Sequence, residues 1–240
     1  MSIGYLKSIL ENASGIAVLL GRAPAKEQGC DIYKEDFSYD VEMKYGRSPG
    51  EITTTTFFNN RPEEFYDFYR EALLKRRGEP DAVNFALKKM EDDGKLLGIV
   101  TRGYFGLSKR AGCKNVVPLY GDIDGNTCPH CGRHFDADYI LSHTPIPYCD
   151  ACGTMIHPGI SLSGELIDSG RMNKAVEIIS SADVLLVLGC DLQSHLGSLA
   201  KYFTGDRICL VNKVSSYNDE AADCVCIGNV QEIMRQAYPF

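Results

Sequence analysis

Two Cys-x-x-Cys pairs constrain this chain more than any other feature of its sequence. Cys128 and Cys131 form the first pair, Cys149 and Cys152 form the second, and 17 residues separate the pairs. Two thiolates at this spacing can chelate one ion from a tight turn, and a second such turn completes a tetrahedron. The pattern predicts one structural zinc ion held by all four thiolates, with no open position for water.

Other uses of these thiols remain open. A Cys-x-x-Cys pair can be redox-active, and two disulfides would also occupy all four cysteines. His130 or His134 could replace one thiolate. Of the ten cysteines in the chain, the remaining six are scattered, and we interpret them as reduced thiols. These six are Cys30, Cys113, Cys190, Cys209, Cys224 and Cys226.

Charge and composition exclude several classes of protein. The 240 residues carry a net charge of −7, which argues against binding nucleic acid by phosphate neutralisation and against docking on an anionic membrane. No apolar run reaches the ~18 residues of a membrane span, and the first eleven residues do not resemble a signal peptide. We therefore expect a cytoplasmic protein with neither a nucleic-acid nor a membrane partner.

Short apolar runs alternate with helical patterns along most of the chain, which predicts an α/β fold with a parallel sheet and helices on both faces. Residues 34–60 are polar, and we interpret Thr53–Thr56 within them as a loop or a helix-capping stretch. The predicted strands are 16–20, 97–101, 115–120, 160–162, 183–188 and 207–211. The predicted helices are 2–13, 172–180, 229–238 and two that begin near 61 and 80.

Several segments, in order along the chain, resemble the sirtuins. Thr101–Gly112, followed by Lys114–Gly121, matches one segment of the family, and Pro158–Glu165 matches its substrate-side strand and loop. The match covers about residues 14–238 and includes the two cysteine pairs. Further matching segments are Tyr45–Pro49, Arg61–Tyr66, Asp183–Gly189 and Leu210–Asn212.

This resemblance implies a Rossmann-like large domain plus a small domain made of a helical insert and a zinc ribbon. We assign residues 1–33, 81–124 and 157–240 to the large domain, 34–80 to the helical insert and 125–156 to the ribbon. Sirtuins are NAD-dependent protein deacylases, so NAD is the cofactor that the resemblance implies beside one zinc ion. Gly21, Gly189 and Asn212 keep the family pattern and are the candidate NAD-binding residues.

Other positions that face NAD in the family differ here. The loop after the first strand reads Gly-Ala-Gly-Ile-Ser in the family but Gly21-Arg-Ala-Pro-Ala25 in this chain. The family's Gln-Asn-Ile-Asp has become Arg102–Phe105, and the acid of its Pro-Asp-Phe-Arg is kept only if Asp31 serves in its place. Asp191 adds a carboxylate near the expected pyrophosphate. These changes make NAD binding doubtful.

The catalytic position also differs. A histidine in the family's Leu-His-Gly acts as general base on the nicotinamide-ribose hydroxyls, and Tyr120 stands at that position. A phenol is a poorer base than imidazole at neutral pH, and general-base catalysis is typically worth ~10²–10⁴-fold. No residue is therefore a confident catalytic candidate, and whether the chain is an enzyme stays uncertain.

These differences favour a catalytically impaired binding or regulatory pseudo-enzyme, which would bind a peptide by β-augmentation in a groove near Gly164 and Glu165. The alternative is an NAD-dependent protein-lysine deacylase or ADP-ribosyltransferase with altered active-site residues, in which Tyr120, Asp31 or Asp122 takes a new role. A third possibility is an unrelated small ligand. Arg22 and Arg102 would then form an anion site.

Overall fold

The computed structural model describes residues 3–27 and 35–240, which fold into two compact units. The first unit comprises Met1–Gln28, Glu79–Leu119 and Asp168–Phe240. The second unit comprises Gly29–Gly78 and Tyr120–Ile167. Cys30 and Asp31 lie outside the described residues. Among the helices that the structure describes, none is long and apolar enough to cross a membrane.

The strands are β1 (Ile16–Leu20), β2 (Leu96–Thr101), β3 (Val116–Pro118), β4 (Asn126–Thr127), β5 (His134–Phe135), β6 (Val184–Leu188), β7 (Arg207–Asn212) and β8 (Cys224–Ile227). The helices are α1 (Ile3–Asn12), α2 (Ala23–Glu27), α3 (Glu35–Tyr45), α4 (Pro49–Ile52), α5 (Thr55–Asn60), α6 (Pro62–Phe68), α7 (Ala82–Asp92), α8 (Leu107–Arg110), α9 (Ala137–Ser142), α10 (Ser169–Ser180) and α11 (Val230–Ala237). A π-helical turn, Tyr69–Leu73, continues α6.

The first unit is built on a six-stranded sheet in the order β3-β2-β1-β6-β7-β8, and every pairing in it is parallel. The central strands β1 and β6 are buried along their whole length. A parallel sheet covered on both faces needs such continuous apolar runs, because water reaches neither face. The predicted α/β parallel sheet is therefore confirmed.

Helices cover both faces of this sheet. Leu6 of α1, Leu87 of α7 and Met234 of α11 join the apolar core that also contains Val18 of β1 and Leu186 of β6. Helix α10 packs against β1, β2 and β3, with its buried Ile178 and Ile179 outside that core. Side chains of one strand alternate between faces, so the two helix layers bury alternate residues of the same strands.

The second unit has an aromatic core in place of a large sheet. Phe65, Tyr66 and Tyr69 are fully buried, and the rings of Phe65 and Tyr69 stack with centroids 5.7 Å apart. The Tyr66 hydroxyl donates to the Ile156 carbonyl. Aromatic side chains pack efficiently in a small core, and their hydroxyls need partners when buried.

Asn126, which no solvent reaches, joins several segments of the second unit. Its Oδ1 accepts hydrogen bonds from the Tyr69 hydroxyl at 3.0 Å and from the Gly159 amide at 2.9 Å. Its Nδ2 donates to the carbonyls of Ile123 at 2.7 Å and Phe135 at 3.2 Å. All four hydrogen-bonding positions of this buried amide are therefore used.

The polar segment before residue 60 is more helical than its pattern indicates. It contains α3, α4 and α5, which apolar periodicity did not reveal because two of these helices have only four to six residues. Their starts depend on local capping instead. Ser48 and Glu51 form a capping box at α4, and the Thr54 hydroxyl accepts from the Phe57 amide at α5.

The predicted strand at 160–162 is wrong, because Ile160 makes only an isolated bridge to Gly121. The unit boundaries also differ from the predicted domains, since residues 120–124 and 157–167 group with the second unit. Backbone pairing accounts for this grouping. The Ser161 amide donates to the Tyr120 carbonyl at 2.8 Å, and His157 pairs with Thr127 of β4.

Candidate functional site

The four cysteines of the two Cys-x-x-Cys pairs converge in the second unit. Their Sγ atoms all lie within 4.8 Å of one another. Cys128 Sγ is 3.4 Å from Cys152 Sγ, and Cys131 Sγ is 3.6 Å from Cys149 Sγ. Tetrahedral zinc with Zn–S bonds of about 2.3 Å would hold its sulfurs about 3.8 Å apart. The donor set therefore fits one zinc ion.

Each pair is presented by the same type of turn. The Gly132 amide donates to the Cys128 carbonyl at 2.9 Å, and the Gly153 amide donates to the Cys149 carbonyl at 2.8 Å. Both glycines have positive φ, 72° and 70°, so a residue with a side chain would be strained there. The two turns thus direct their thiols to a common point.

One thiol of the cluster is already acidic. The Thr154 hydroxyl, 3.4 Å from Cys152 Sγ, together with the Thr154 amide, lowers the pKa of Cys152 to about 6. A lower pKa favours the thiolate, which is the form that binds a metal. Zinc here would be structural, because the four protein ligands fill its coordination sphere.

The first unit offers a second candidate site at the carboxyl edge of its sheet. From β1 the chain leads to β2 and β3 on one side, whereas from β6 it leads to β7 and β8 on the other. The boundary between β1 and β6 is therefore the topological switch point, where open α/β sheets bind their ligands. Gly21 follows β1, and Gly189 follows β6.

Gly21 and Gly189 approach each other too closely to admit any side chain. A Cβ on Gly21 would lie 2.3 Å from the Gly189 carbonyl oxygen, and a Cβ on Gly189 would lie 2.6 Å from Pro24 Cδ. Gly189 also has a φ of 65°. The two strand ends therefore meet in close contact at the switch point, with Pro24 and Ala23 packed against Gly189.

Asn212 ends β7 at the same edge of the sheet, with its Oδ1 accepting from the Lys213 amide at 2.9 Å. Asp191 lies beyond β6. One of its carboxylate oxygens accepts from the amides of Gln193 at 2.9 Å and Ser194 at 2.7 Å. These two donors offset part of the negative charge that the sequence predicts to repel a pyrophosphate.

The segment after β2 has a structural role. The Thr101 hydroxyl donates to the Leu20 carbonyl at 2.9 Å and accepts from the Gly103 amide at 2.9 Å. Phe105 is buried, with 4% of its surface exposed, so its bulk fills protein interior. Arg102 begins this segment at the carboxyl edge, where its amide donates to the Leu20 carbonyl at 3.4 Å.

Tyr120 groups with the second unit, whereas Gly21, Gly189 and Asn212 belong to the first. It is half-buried and follows Leu119, whose amide donates to the carbonyl of Thr101 at the end of β2. The structure thus brings the glycine pair together and places Asn212 on the same edge.

The loop that contains Gly164 and Glu165 lies in the second unit. Ser163 bridges to Thr54, with its amide donating to the Thr53 carbonyl at 2.8 Å and its carbonyl accepting from the Thr55 amide at 3.0 Å. Beyond Ser163, the amide and carbonyl of Gly164 make no hydrogen bond within the described part of the chain. Leu166 is 93% exposed.

Sequence reasoning missed the contact that holds this loop. His157 Nε2 lies 2.8 Å from Glu165 Oε1, and the Glu165 Oε2 accepts from the Leu162 amide at 2.8 Å. A histidine eight positions before a glutamate is too common a pattern to indicate this contact without knowledge of the turn between them.

Residues 31–195 match the model of the Sir2 family. The chain is 35% identical over 235 residues to an NAD-dependent protein deacetylase of Clostridium acetobutylicum, covering 97% of this chain and 96% of the relative. A solved structure on sirtuin substrate affinity shares the fold with a TM-score of 0.86 at 24% identity, covering 99% of this chain and 98% of that one.

A second solved structure is a His-to-Tyr mutant of Sir2 with a p53 peptide and NAD. It has a TM-score of 0.79 and 25% identity, and it covers 99% of this chain and 97% of that one. The parallel sheet, the four-cysteine cluster and a match along nearly the whole length agree with one another. The chain belongs to the Sir2 family.

Proposed function

We propose that the protein is an NAD-dependent protein-lysine deacylase with altered active-site residues. The observation that carries this proposal is the close contact of Gly21 and Gly189 at the switch point of the sheet, where open α/β sheets bind their ligands. The site would bind NAD beside these two glycines and Asn212.

The relatives support this alternative over a pseudo-enzyme. The Clostridium acetobutylicum relative is an NAD-dependent protein deacetylase and matches the chain from end to end. The Sir2 mutant with tyrosine in place of a histidine carries both a peptide and NAD. A tyrosine substitution in a sirtuin is thus compatible with binding both substrates, which supports the same for a chain with Tyr120.

The peptide would add as a strand along Gly164 to Leu166. The Gly164 amide and carbonyl make no hydrogen bond in the described part of the chain, and unpaired backbone is what β-augmentation uses. The exposed Leu166 would cover part of the peptide. An acyl-lysine peptide is therefore the partner to test first.

Turnover tests the proposal directly. Zinc-loaded protein incubated with NAD and an acetyl-lysine peptide should release nicotinamide and deacetylated peptide in equal amounts, with one water consumed and the acetyl group leaving on the ADP-ribose. Because a phenol is a poorer base than imidazole, we expect Tyr120→His to raise the rate by about 10²-fold or more. A Tyr120→Phe variant is the matched control, since it removes only the hydroxyl.

Two results would contradict the proposal. If neither the wild type nor Tyr120→His releases nicotinamide, the pseudo-enzyme interpretation would replace it. If nicotinamide is released while the peptide keeps its acetyl group and gains ADP-ribose, the reaction is ADP-ribosyl transfer and not deacylation.

A further inference from the structure

His157 occupies an unusual position for an imidazole, because both of its ring nitrogens face oxygen atoms. Nδ1 lies 2.8 Å from the Pro158 carbonyl oxygen, and Nε2 lies 2.8 Å from Glu165 Oε1. The ring meets Phe58 edge-on, with centroids 5.5 Å apart, and 31% of the side chain is exposed. The ring is thus held at both nitrogens and by an edge-to-face contact with Phe58.

Counting donors shows what these two contacts require. A backbone carbonyl can only accept, and so can an ionised carboxylate. Neutral imidazole has one N–H, which can satisfy only one of the two oxygens. Both hydrogen bonds therefore form only when the His157–Glu165 pair holds one proton more than neutral imidazole and carboxylate together.

Glu165 transmits this contact to the loop. While Oε1 faces His157, Oε2 accepts from the Leu162 amide at 2.8 Å, and the Glu165 amide donates to the Leu162 carbonyl at 3.0 Å. These bonds close a tight turn around Gly164, whose φ is 102°. The carboxylate thus fixes the backbone immediately before the exposed Leu166.

The start of the loop is anchored independently. Ser163 is bonded to Thr53 and Thr55, and a Cβ on Gly164 would lie 2.8 Å from Thr55 Oγ1. The His157–Glu165 contact therefore controls the part of the loop that follows Ser163, the segment along which we place the peptide.

From this geometry we infer that His157 is a positioning residue for peptide recognition, acting through Glu165, and that one proton held by the pair makes recognition pH-dependent. The inference rests on the proposed function only in assigning the loop to peptide. As pH rises and the proton leaves, one of the two imidazole hydrogen bonds is lost. The Gly164–Leu166 edge then loses its fixed shape, and the peptide binds more weakly.

Among the described contacts of His157, the charged partner is Glu165. In the contacts that the structure describes, α5 contributes the Phe58 ring, β4 contributes backbone of Thr127, and the loop contributes Glu165. A protonated ring therefore has one described carboxylate to pair with.

Binding measured against pH tests the inference. We would titrate zinc-loaded full-length protein into a fluorescent acetyl-lysine peptide without NAD, between about pH 5.5 and 8.5, the range where imidazoles change charge. The affinity of the wild type should fall roughly tenfold as the pH rises across this range, because one charge-assisted hydrogen bond contributes about that much. His157→Arg should keep its affinity, because guanidinium stays charged and retains its donors.

His157→Phe should bind weakly at every pH, with no slope. His143→Arg is the matched control, since it adds the same charge at an exposed histidine remote in sequence from the loop, and it should follow the wild type. A wild-type slope that survives in His157→Arg would overturn the inference.

Amide exchange of Leu162 gives a readout that needs no peptide. Its protection, corrected for the intrinsic pH dependence of exchange, should fall as pH rises in the wild type and stay constant in His157→Arg. Equal protection profiles in the two proteins would refute the pairing. If no peptide binds at any pH while Leu162 behaves as expected, the proposed function fails and the peptide assignment of the loop fails with it, whereas the proton-dependent contact stands.

Discussion

At the scale of single residues, the packing of several segments depends on one side chain or on a glycine that has none. Asn126 saturates four backbone or hydroxyl groups from separate parts of the second unit. Gly21 and Gly189 act in the opposite way, since the absence of Cβ atoms lets two strand ends meet. Both kinds of position tolerate little substitution.

Asn126→Ala should destabilise the protein by about 3 kcal/mol, because it leaves the Gly159 amide and two carbonyls without partners in the interior. Tyr69→Phe removes only one of the four hydrogen bonds and should cost about 1 kcal/mol. Urea denaturation of both variants checks the ranking. Equal losses would mean that water replaces the amide.

Asp183 links the start of β6 to the residue pair before β1, with Oδ2 2.7 Å from the Ser14 amide and Oδ1 2.8 Å from the Gly15 amide. Burial acts to raise the pKa of Asp183, but these and other backbone donors outweigh it, so the pKa lies below its usual value. A carboxylate with a lowered pKa stabilises the folded state at pH values above its pKa in the unfolded chain. This stabilisation is lost as the pH falls through the native pKa.

We expect Asp183→Asn to lower the free energy of unfolding by about 1 kcal/mol at neutral pH, a modest figure because the carboxylate is partly exposed. The difference from the wild type should shrink as pH falls below about 4, where the aspartate of the unfolded chain becomes protonated, and should vanish below the lowered native pKa. Denaturation curves at several pH values would measure it. A difference that persists at low pH would assign the effect to packing.

At the scale of elements, the two cysteine turns and the short strands β4 and β5 bring four thiols to one point of the second unit. Such a segment depends on its metal for stability, since four thiolates gathered within 4.8 Å without an ion would repel one another. We therefore expect zinc binding to stabilise this segment.

Cys149→Ser should reduce bound zinc from one ion per chain to well below one and lower the melting temperature. Cys113→Ala, which alters a buried thiol outside the cluster, should keep one zinc. Metal analysis after gel filtration separates the two. Full zinc content in Cys149→Ser would show that another group, such as His130 or His134, completes the site.

The sequence was informative where a single local pattern determines an element. The long apolar strands and the cysteine spacing predicted the sheet and the metal cluster. Helices α4 and α5 were missed because capping by Ser48 and Thr54, and not periodicity, starts them. The His157–Glu165 contact was missed because it depends on a turn whose shape the residue types do not specify.

At the scale of the whole molecule, the proposed cofactor should stabilise the native state. NAD at ~100 times its dissociation constant would add ~2.7 kcal/mol, which for a chain of this length corresponds to a rise of about 5–10 °C in melting temperature. Asn212→Ala should melt near the wild type without NAD but show a smaller rise with it. No shift at millimolar NAD would contradict cofactor binding.

The strands of the sheet lie in an order that differs from the order of their synthesis. A nascent chain that has emerged through β3 can pair β1 with β2, but the other side of β1 waits for β6, which begins at Val184. The zinc-binding cysteines, complete at Cys152, emerge before that strand. On the ribosome, the cysteine turns can therefore close around a metal while one edge of β1 is still unpaired. During that interval another unfolded chain can add a strand to the exposed edge, which favours aggregation.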